Sequence, residues 1–231
     1  MILSEIKIGK SVEGKDIRAL KTKEKSPKYL YLLAGVHGDE VEGVYVLQQI
    51  IDWIELLETL GIPLIIIPIL NLDGYCAGTR VNAHGVDLNR NLPTSDWMAE
   101  FSEQQFHPGP KPLSEPENEA LVKLFEQYPP KFMISFHSWR PLLNYNGECK
   151  DVADFISQFN KYPVADNIGY STPGSLGKYL PEKHDVPVIT FEFPKLKKNK
   201  SLKDIWDENK VGLLKLFTSE ILLGKFNNPQ S

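Results

Sequence analysis

The feature that most constrains the fold is a set of four short apolar runs, separated by amphipathic or polar stretches. The runs are Tyr29–Val36, Leu64–Leu70, Phe132–Phe136 and Pro187–Glu192. They are dense in Leu, Ile, Val and Phe and are bounded by Gly, Pro, Asn or Asp, which is typical of strands buried on both faces. The alternation therefore predicts an α/β fold, in which helices cover a central sheet.

Three stretches are predicted to be helices. Glu40–Leu60 and Leu202–Leu223 carry apolar residues at helical spacing. Ser114-Glu-Pro-Glu117 predicts a helix start, with Ser114 as the cap, and this helix should run to about Gln127. The segment Asn71–Leu113 is rich in Gly, Pro and Asn and is predicted to be mostly irregular. An irregular segment of that length inside a compact domain is usually functional.

Length and charge exclude several classes of protein. The chain has 231 residues and a formal net charge of −4, which suits one large domain without a basic surface for nucleic acid. Its first ten residues lack the charged and then apolar pattern of a signal peptide. The most apolar stretch, Ile62–Leu70, is too short to span a membrane. We therefore expect a cytoplasmic protein with no nucleic-acid or membrane partner, whose oligomeric state the sequence leaves open.

Two histidines stand at the ends of predicted strands. In His37-Gly-Asp-Glu40 the spacing lets an imidazole and a carboxylate converge just beyond the first strand, and His137 ends another strand. Open α/β sheets bind their ligands at this edge, and a catalytic zinc takes three protein ligands of these types. A single His-x-x-Glu is common by chance, and a lone histidine is more often a core residue. Together, however, the two motifs favour a metal site.

Two further polar clusters follow the same pattern. Arg80, Asp87, Asn89 and Arg90 lie in the irregular segment, where arginine side chains would bind an anionic substrate through paired hydrogen bonds. The alternative is an Asp–Arg network that only holds the loop. Glu192 ends an apolar strand, where a carboxylate is costly to bury unless it is paired or acts as a general base. The alternative there is a glutamate exposed at the sheet edge.

In this order, the clusters resemble the zinc carboxypeptidase family of metallopeptidases over most of the chain. The matching motifs are His37-Gly-Asp-Glu40, Asn71-Leu-Asp73-Gly74, Gly85-Val-Asp87-Leu-Asn89-Arg90-Asn91, Ser114-Glu-Pro-Glu117, Ser135-Phe-His137-Ser138, Gly174-Ser175 and Phe191-Glu192. One motif alone would be poor evidence, but the ordered set is specific. Within the family, the segments Gly78–Asn82 and Ile168–Ser175 most resemble the small bacterial murein peptide amidases.

The resemblance implies a fold, a metal and a catalytic pair. The fold would be a single-domain α/β/α sandwich with a mixed, largely parallel central sheet, formed by residues 1–231 with no propeptide. His37, Glu40 and His137 would bind one Zn²⁺ per chain, although cobalt or manganese could substitute. Glu192 would be the general base and acid, and Arg80 would stabilise the oxyanion.

The resemblance also implies how substrate is held. Asn89 and Arg90 would bind the substrate's terminal carboxylate, Tyr170 would close over the bound substrate, and Asp87 would orient His37 through its other ring nitrogen. The sequence departs from the family at Asp39, where many digestive members carry an arginine. Ser138-Trp139-Arg140 differs from the murein amidases, which affects substrate identity more than mechanism.

The expected activity is hydrolysis of an amide bond beside a C-terminal residue that carries a carboxylate. The preferred substrate is a murein tripeptide, cut between γ-D-glutamate and meso-diaminopimelate during peptidoglycan recycling. One alternative is a carboxypeptidase acting on ordinary α-peptides, which needs the same motifs. The others are a deacylase of N-acyl amino acids, which the polar run from Arg80 to Asn91 disfavours, and a non-catalytic binding protein, which Glu192 disfavours.

Overall fold

Eight strands form one sheet in the computed structural model, which describes residues 2–23, 25–198 and 200–227. The strands are β1 (Leu3–Lys10), β2 (Asp16–Thr22), β3 (Tyr29–Leu33), β4 (Leu64–Ile67), β5 (Pro130–Trp139), β6 (Leu142–Asn146), β7 (Val164–Ala165) and β8 (Val188–Pro194). The helices are α1 (Val41–Glu55), α2 (Leu72–Ala77), α3 (Pro116–Gln127), α4 (Lys150–Asn160), α5 (Leu176–His184), α6 (Leu202–Phe217) and α7 (Glu220–Asn227).

The strand order is β1-β2-β4-β3-β5-β8-β6-β7. The four central strands β4, β3, β5 and β8 run parallel, whereas β2 and β6 join them as antiparallel neighbours. These central strands are the four predicted from the apolar runs. Their side chains are buried because helices cover both faces of a parallel sheet.

Alternate residues of β3 point into two separate cores. Leu30 and Leu32 pack with residues of α1, α4 and α6, and Tyr31 and Leu33 pack on the other face with residues of α3 and α5. The period of two in strand side chains produces this division. The structure therefore confirms the predicted α/β/α sandwich with a mixed, largely parallel sheet.

All three helix predictions were wrong in detail. The first helix, α1, ends at Glu55 and does not extend to Leu60. Ser114 does not cap α3, because the N-cap is Glu115 and the helix begins at Pro116. The predicted helix Leu202–Leu223 is two helices, since α6 ends at Phe217 and a new helix begins at Glu220. The turn between them is held by the Ser219 hydroxyl, which accepts a hydrogen bond from the Leu222 amide at 3.3 Å.

The parallel arrangement determines where polar side chains meet. β3, β5 and β8 end at the same edge of the sheet, and the residues that follow β3 lie beside the last residues of β5. In the β5–β8 pair, His137 is the register partner of Glu192. Within the described ranges, no helix combines the length and apolar character needed to cross a membrane.

Candidate metal centre and active site

His37, Glu40 and His137 form a buried cluster at this edge. The Nδ1 atoms of the two imidazoles lie 3.2 Å apart, and each is 2.9 Å from a different carboxylate oxygen of Glu40. One donor atom from each residue falls within 4.8 Å of the others. Two imidazoles and one carboxylate are the ligand set of many catalytic zinc sites, so the three residues could hold a metal ion.

The loop that carries His37 and Glu40 is fixed by a close backbone contact. A Cβ atom on Gly38 would lie 2.1 Å from the carbonyl carbon of Gly74 and 2.2 Å from the amide nitrogen of Tyr75, both in α2. Only glycine permits this approach. The Gly38 amide also donates to the Arg80 carbonyl at 3.2 Å, so the His37 loop packs against the segment that carries Arg80.

Both imidazoles are oriented by a partner on the ring nitrogen that faces away from the cluster. His37 Nε2 lies 3.1 Å from Asp87 Oδ1, and His137 Nε2 lies 3.0 Å from Ser135 Oγ. Because a carboxylate accepts hydrogen bonds, Asp87 favours a proton on Nε2 of His37. This leaves Nδ1 as the atom available to a metal.

Arg80 links Asp87 to the cluster. Its Nη2 and Nε donate to Asp87 Oδ2 at 2.9 and 3.2 Å, and its Nη1 lies 3.5 Å from Glu40 Oε1. Burial acts to raise the pKa of Asp87, but His37 and Arg80 outweigh burial and hold this pKa well below its usual range. Asp87 is therefore a carboxylate at neutral pH, and it holds the Arg80 guanidinium beside Glu40 at the wall of the cavity described below.

Glu192 lies next to His137 with one oxygen unpaired. Its side chain is 7% exposed, and no described residue gives Oε2 a hydrogen-bond partner. Burial raises the pKa of Glu192 to about 7; His137 opposes this shift and the Glu40 carboxylate adds to it. A buried carboxyl group with a pKa near neutrality can both accept and return a proton.

A cavity of about 460 Å³ opens over the cluster and Glu192. Asn89, Arg90 and Tyr170 all line it. Arg90 is 5% exposed, and its guanidinium lies over the Phe106 ring at 5.7 Å, as that of Arg80 does at 5.3 Å. An arginine so held keeps few rotamers, which lowers the entropy lost when it binds an anion.

The Asn89–Arg90 side of the cavity is attached to the start of α5. The Leu176 amide donates to Asn89 Oδ1 at 2.8 Å, and the Leu92 amide donates to the Gly174 carbonyl at 3.0 Å. A Cβ atom on Gly174 would lie 2.1 Å from the Arg90 carbonyl oxygen. The backbone segments that carry Arg90 and α5 therefore touch directly.

The structure brings all of the predicted site residues to this one cavity or to its immediate support. The nine are His37, Glu40, Arg80, Asp87, Asn89, Arg90, His137, Tyr170 and Glu192. Tyr170 lies at the rim, 48% exposed, with its ring 5.5 Å from that of Trp139. The other three histidines, His84, His107 and His184, are not part of the His37–Glu40–His137 cluster.

Sequence reasoning missed three residues of the site. Ser135 shares a strand face with His137 two residues later, so the strand period could have identified it. Lys195, which lines the cavity, follows Glu192 by three residues and carried the signal of an exposed lysine run only. Phe106 carried no signal, because nothing local shows that it supports two arginines far from it in sequence.

The comparison with known protein families decides the assignment. The profile described as zinc carboxypeptidase matches residues 1–179. The chain belongs to this family. The family consists of metallopeptidases and amidases, and the resemblance inferred from the motifs is thereby confirmed. Zinc is typical of the family, and the His-Glu-His cluster is suited to it in ligand type, number and burial.

Three similar proteins illustrate the relationship. The chain is 33% identical over 177 residues to Murein peptide amidase A of Escherichia coli (strain K12), covering 71% of this chain and 70% of that protein. It is 32% identical over 205 residues to Murein peptide amidase A of Vibrio campbellii, covering 84% and 80%. The crystal structure of murein-tripeptide amidase MpaA from Escherichia coli O157 superposes with a TM-score of 0.71 at 24% identity and covers both chains completely.

Proposed function

We propose that this protein is a zinc-dependent amidase that hydrolyses the bond before a C-terminal, carboxylate-bearing residue. The observation that carries the proposal is the position of Glu192, which lines the same cavity as the His37–Glu40–His137 cluster and keeps Oε2 without a hydrogen-bond partner among the described residues. A buried base beside a His₂Glu ligand set is the arrangement that metal-assisted hydrolysis of an amide requires.

His37, Glu40 and His137 would hold the zinc ion. The ion would supply Lewis acidity, which polarises a carbonyl oxygen and lowers the pKa of water. The fit is supported by the convergence of Nδ1 from both imidazoles on the Glu40 carboxylate, and by the partners that hold both Nε2 atoms.

Glu192 transfers the proton, and Arg80 stabilises the negative charge that develops during the reaction. Glu192 takes the proton of the attacking water through its carboxylate and returns it to the departing amine, so the carboxylate is regenerated. The Arg80 guanidinium, which reaches to 3.5 Å from Glu40, stabilises the negative charge that develops on the carbonyl oxygen. A donor placed in this way is commonly worth ~3 kcal/mol in the transition state.

The remaining residues bind and position. Arg90 and Asn89, which both line the cavity, bind the carboxylate of the leaving residue. Asn89 Oδ1 accepts the Leu176 amide, so its NH₂ group is the part available to a ligand. Tyr170 covers the bound substrate from the rim. Asp87 orients His37 and Arg80 at the same time, because its two oxygens contact both side chains.

The floor of the cavity favours a polar leaving residue. Asn144 and Thr190 are register partners on β6 and β8, and both line the cavity with Asn146. A carboxypeptidase for apolar C-terminal residues would require an apolar pocket at this position. Amide and hydroxyl groups instead suit a side chain that ends in an amino and a carboxyl group, as in diaminopimelate.

We therefore propose cleavage of the γ-D-glutamyl–meso-diaminopimelate bond of murein peptides, which is consistent with the similarity to two murein peptide amidases. The same proposal includes a role in peptidoglycan recycling in the cytoplasm and one catalytic domain over residues 1–231. An ordinary carboxypeptidase is the second candidate, because it needs the same cluster, base and arginines.

Metal analysis combined with kinetics tests this proposal. The purified protein should contain about one zinc per chain and should hydrolyse L-Ala-γ-D-Glu-meso-diaminopimelate much faster than α-linked dipeptides. Glu192→Gln should keep its zinc and lose about 100-fold or more in kcat, because the amide cannot transfer the proton. Faster cleavage of α-linked peptides would favour the carboxypeptidase, and an active Glu192→Gln protein would refute the assigned base.

A further inference from the structure

Lys195 is a cation of the cavity that the proposed mechanism does not use. It comes directly after β8, and it lines the cavity together with Glu192 and Ser138. Its side chain is 47% exposed, so the ammonium group is accessible to a ligand. Its charge lies close enough to Glu192 to oppose the rise in pKa that burial causes there.

Lys195 is fixed in place by the start of α1. Its Nζ lies 2.9 Å from Asp39 Oδ2, and the next residue, Leu196, donates its amide to Glu42 Oε1 at 2.6 Å. Glu42 is 3% exposed, so this backbone bond is shielded from water. Lys195 is therefore held through its own side chain and through the backbone of the next residue, unlike a free surface lysine.

Lys195 and Arg90 line the same cavity but come from segments attached to different cores. Leu88 and Leu92, which flank Arg90, pack in the core that contains α3 and α5. Lys195 instead contacts Asp39, which precedes α1, and α1 packs in the other core. His37, His137 and Glu192 follow or end the central strands β3, β5 and β8, which separate these two cores.

We propose that Lys195 binds a second carboxylate, on the acyl side of the scissile bond, and so selects substrates with an acidic residue there. This inference rests on the proposed function. In a γ-linked glutamyl peptide, the glutamate is joined through its side chain, and its free α-carboxylate lies a short carbon chain from the scissile carbonyl. Arg90 would bind the carboxylate of the leaving residue, and Lys195 the carboxylate of the glutamyl residue.

The ion pair between Lys195 and Asp39 leaves the lysine able to bind the glutamyl carboxylate. A lysine ammonium has three donors, and Asp39 engages Lys195 through one oxygen, so donors remain for a ligand. Asp39 also fixes the position of the Lys195 ammonium group at the wall of the cavity. An α-carboxamide at the same position of the substrate carries no charge and would lose the ionic part of the interaction.

The test compares two substrates that differ only at that group. They are L-Ala-γ-D-Glu-meso-diaminopimelate and its analogue in which the glutamyl α-carboxylate is an amide. The zinc-loaded wild type should prefer the free acid by about tenfold in kcat/KM, a factor typical of a partly exposed charged hydrogen bond. Lys195→Met should reduce this ratio to near one, and Lys195→Arg should restore most of it.

Lys178→Met is the matched control, because Lys178 also lines the cavity but lies on α5. It should keep the wild-type ratio between the two substrates. The inference is overturned by a wild type that cleaves both substrates equally, by an unchanged ratio in Lys195→Met, or by loss of the ratio in Lys178→Met instead. These results leave the proposed function intact, whereas a zinc-loaded wild type that cleaves neither substrate refutes both.

Discussion

Asp87 offers the sharpest test of how the site is supported. It is fully buried, and its oxygens accept hydrogen bonds from His37 Nε2, the Asn89 amide, and Arg80 Nε and Nη2 at distances of 2.8 to 3.2 Å. We expect Asp87→Asn to weaken zinc binding about 10- to 100-fold, the usual effect of removing such a partner.

Neither orientation of the new amide preserves the contacts. If its NH₂ group faces Arg80, donors face donors, and the guanidinium loses its ion pair. If its NH₂ group faces His37 instead, Nε2 must become an acceptor, and the proton moves to Nδ1. That tautomer removes the lone pair that the metal needs. The Asn89 amide would also face a donor in this second orientation.

The expected weakening corresponds to ~1.4 to 2.8 kcal/mol of zinc binding free energy. The free energy of unfolding should also fall by about 1.5–3 kcal/mol, because a charged hydrogen-bonding group is lost. Competition for zinc with a chromophoric chelator measures the first quantity, and urea denaturation of the metal-free protein measures the second.

Asp73→Asn is the matched control for Asp87→Asn. Asp73 is also a buried aspartate, and it accepts hydrogen bonds from the Ser11 hydroxyl, the Glu13 amide and Lys15 Nζ at 2.8 to 2.9 Å. Its variant should lose stability but keep the wild-type zinc affinity. Zinc affinity within twofold of wild type in Asp87→Asn would show that Asp87 does not support the metal site.

The remaining predictions concern backbone contact and pH. Gly38→Ala should lower both stability and zinc affinity, measured by denaturation and chelator competition, because its Cβ would meet the backbone of Gly74 and Tyr75 at 2.1 and 2.2 Å; an unaffected variant would contradict this contact. Burial acts to raise the pKa of Asp73, but the hydrogen bonds from Lys15, the Glu13 amide and Ser11 together outweigh burial and lower it. The carboxylate therefore stabilises the fold above its unfolded pKa of ~3.9, and this stability is lost as pH falls through the folded pKa. The difference of about 1–3 kcal/mol between wild type and Asp73→Asn at pH 7 should shrink below pH 4, and a constant difference would contradict the ionic contribution.

The central strands and the site could be predicted because their signals are local. β3, β4, β5 and β8 are buried on both faces and consist of unbroken apolar runs. His37 and Glu192 stand close to the ends of such runs, where polar residues are unusual. Their convergence followed from the parallel arrangement, which the alternation of strands and helices predicted.

The edge strands could not be found in the same way. β1 reads Leu-Ser-Glu-Ile-Lys-Ile-Gly-Lys, and seven of its eight residues are partly buried or exposed. β6 carries two asparagines, Asn144 and Asn146, and both line the cavity. β1 pairs with the adjacent β2 and β6 with the sequence-distant β8, and no local apolar run predicts either pairing.

Helix α2 had local signals that were not used. Asn71 accepts a hydrogen bond from the Gly74 amide, and Gly78 ends the helix in the left-handed conformation. Asparagine before a helix and glycine after it are common capping residues. The richness of the segment in Gly, Pro and Asn masked them. By contrast, the contact of Asn89 with α5 depends on tertiary structure alone.

The contact between Gly174 and the Arg90 backbone separates the cavity into a fixed part and an adjustable part. Residues 174–176 are bound to residues 89–94 by backbone and side-chain hydrogen bonds. The outer stretch 166–172 carries Tyr170 at the rim of the cavity. Its contacts there are the Tyr170–Trp139 ring pair and a hydrogen bond from Arg140 to the Ile168 carbonyl. Insertions or exchanges in that outer stretch can therefore reshape the entrance while the Arg90 guanidinium stays in position. A protein engineer could broaden the range of accepted peptides there without rebuilding the catalytic centre.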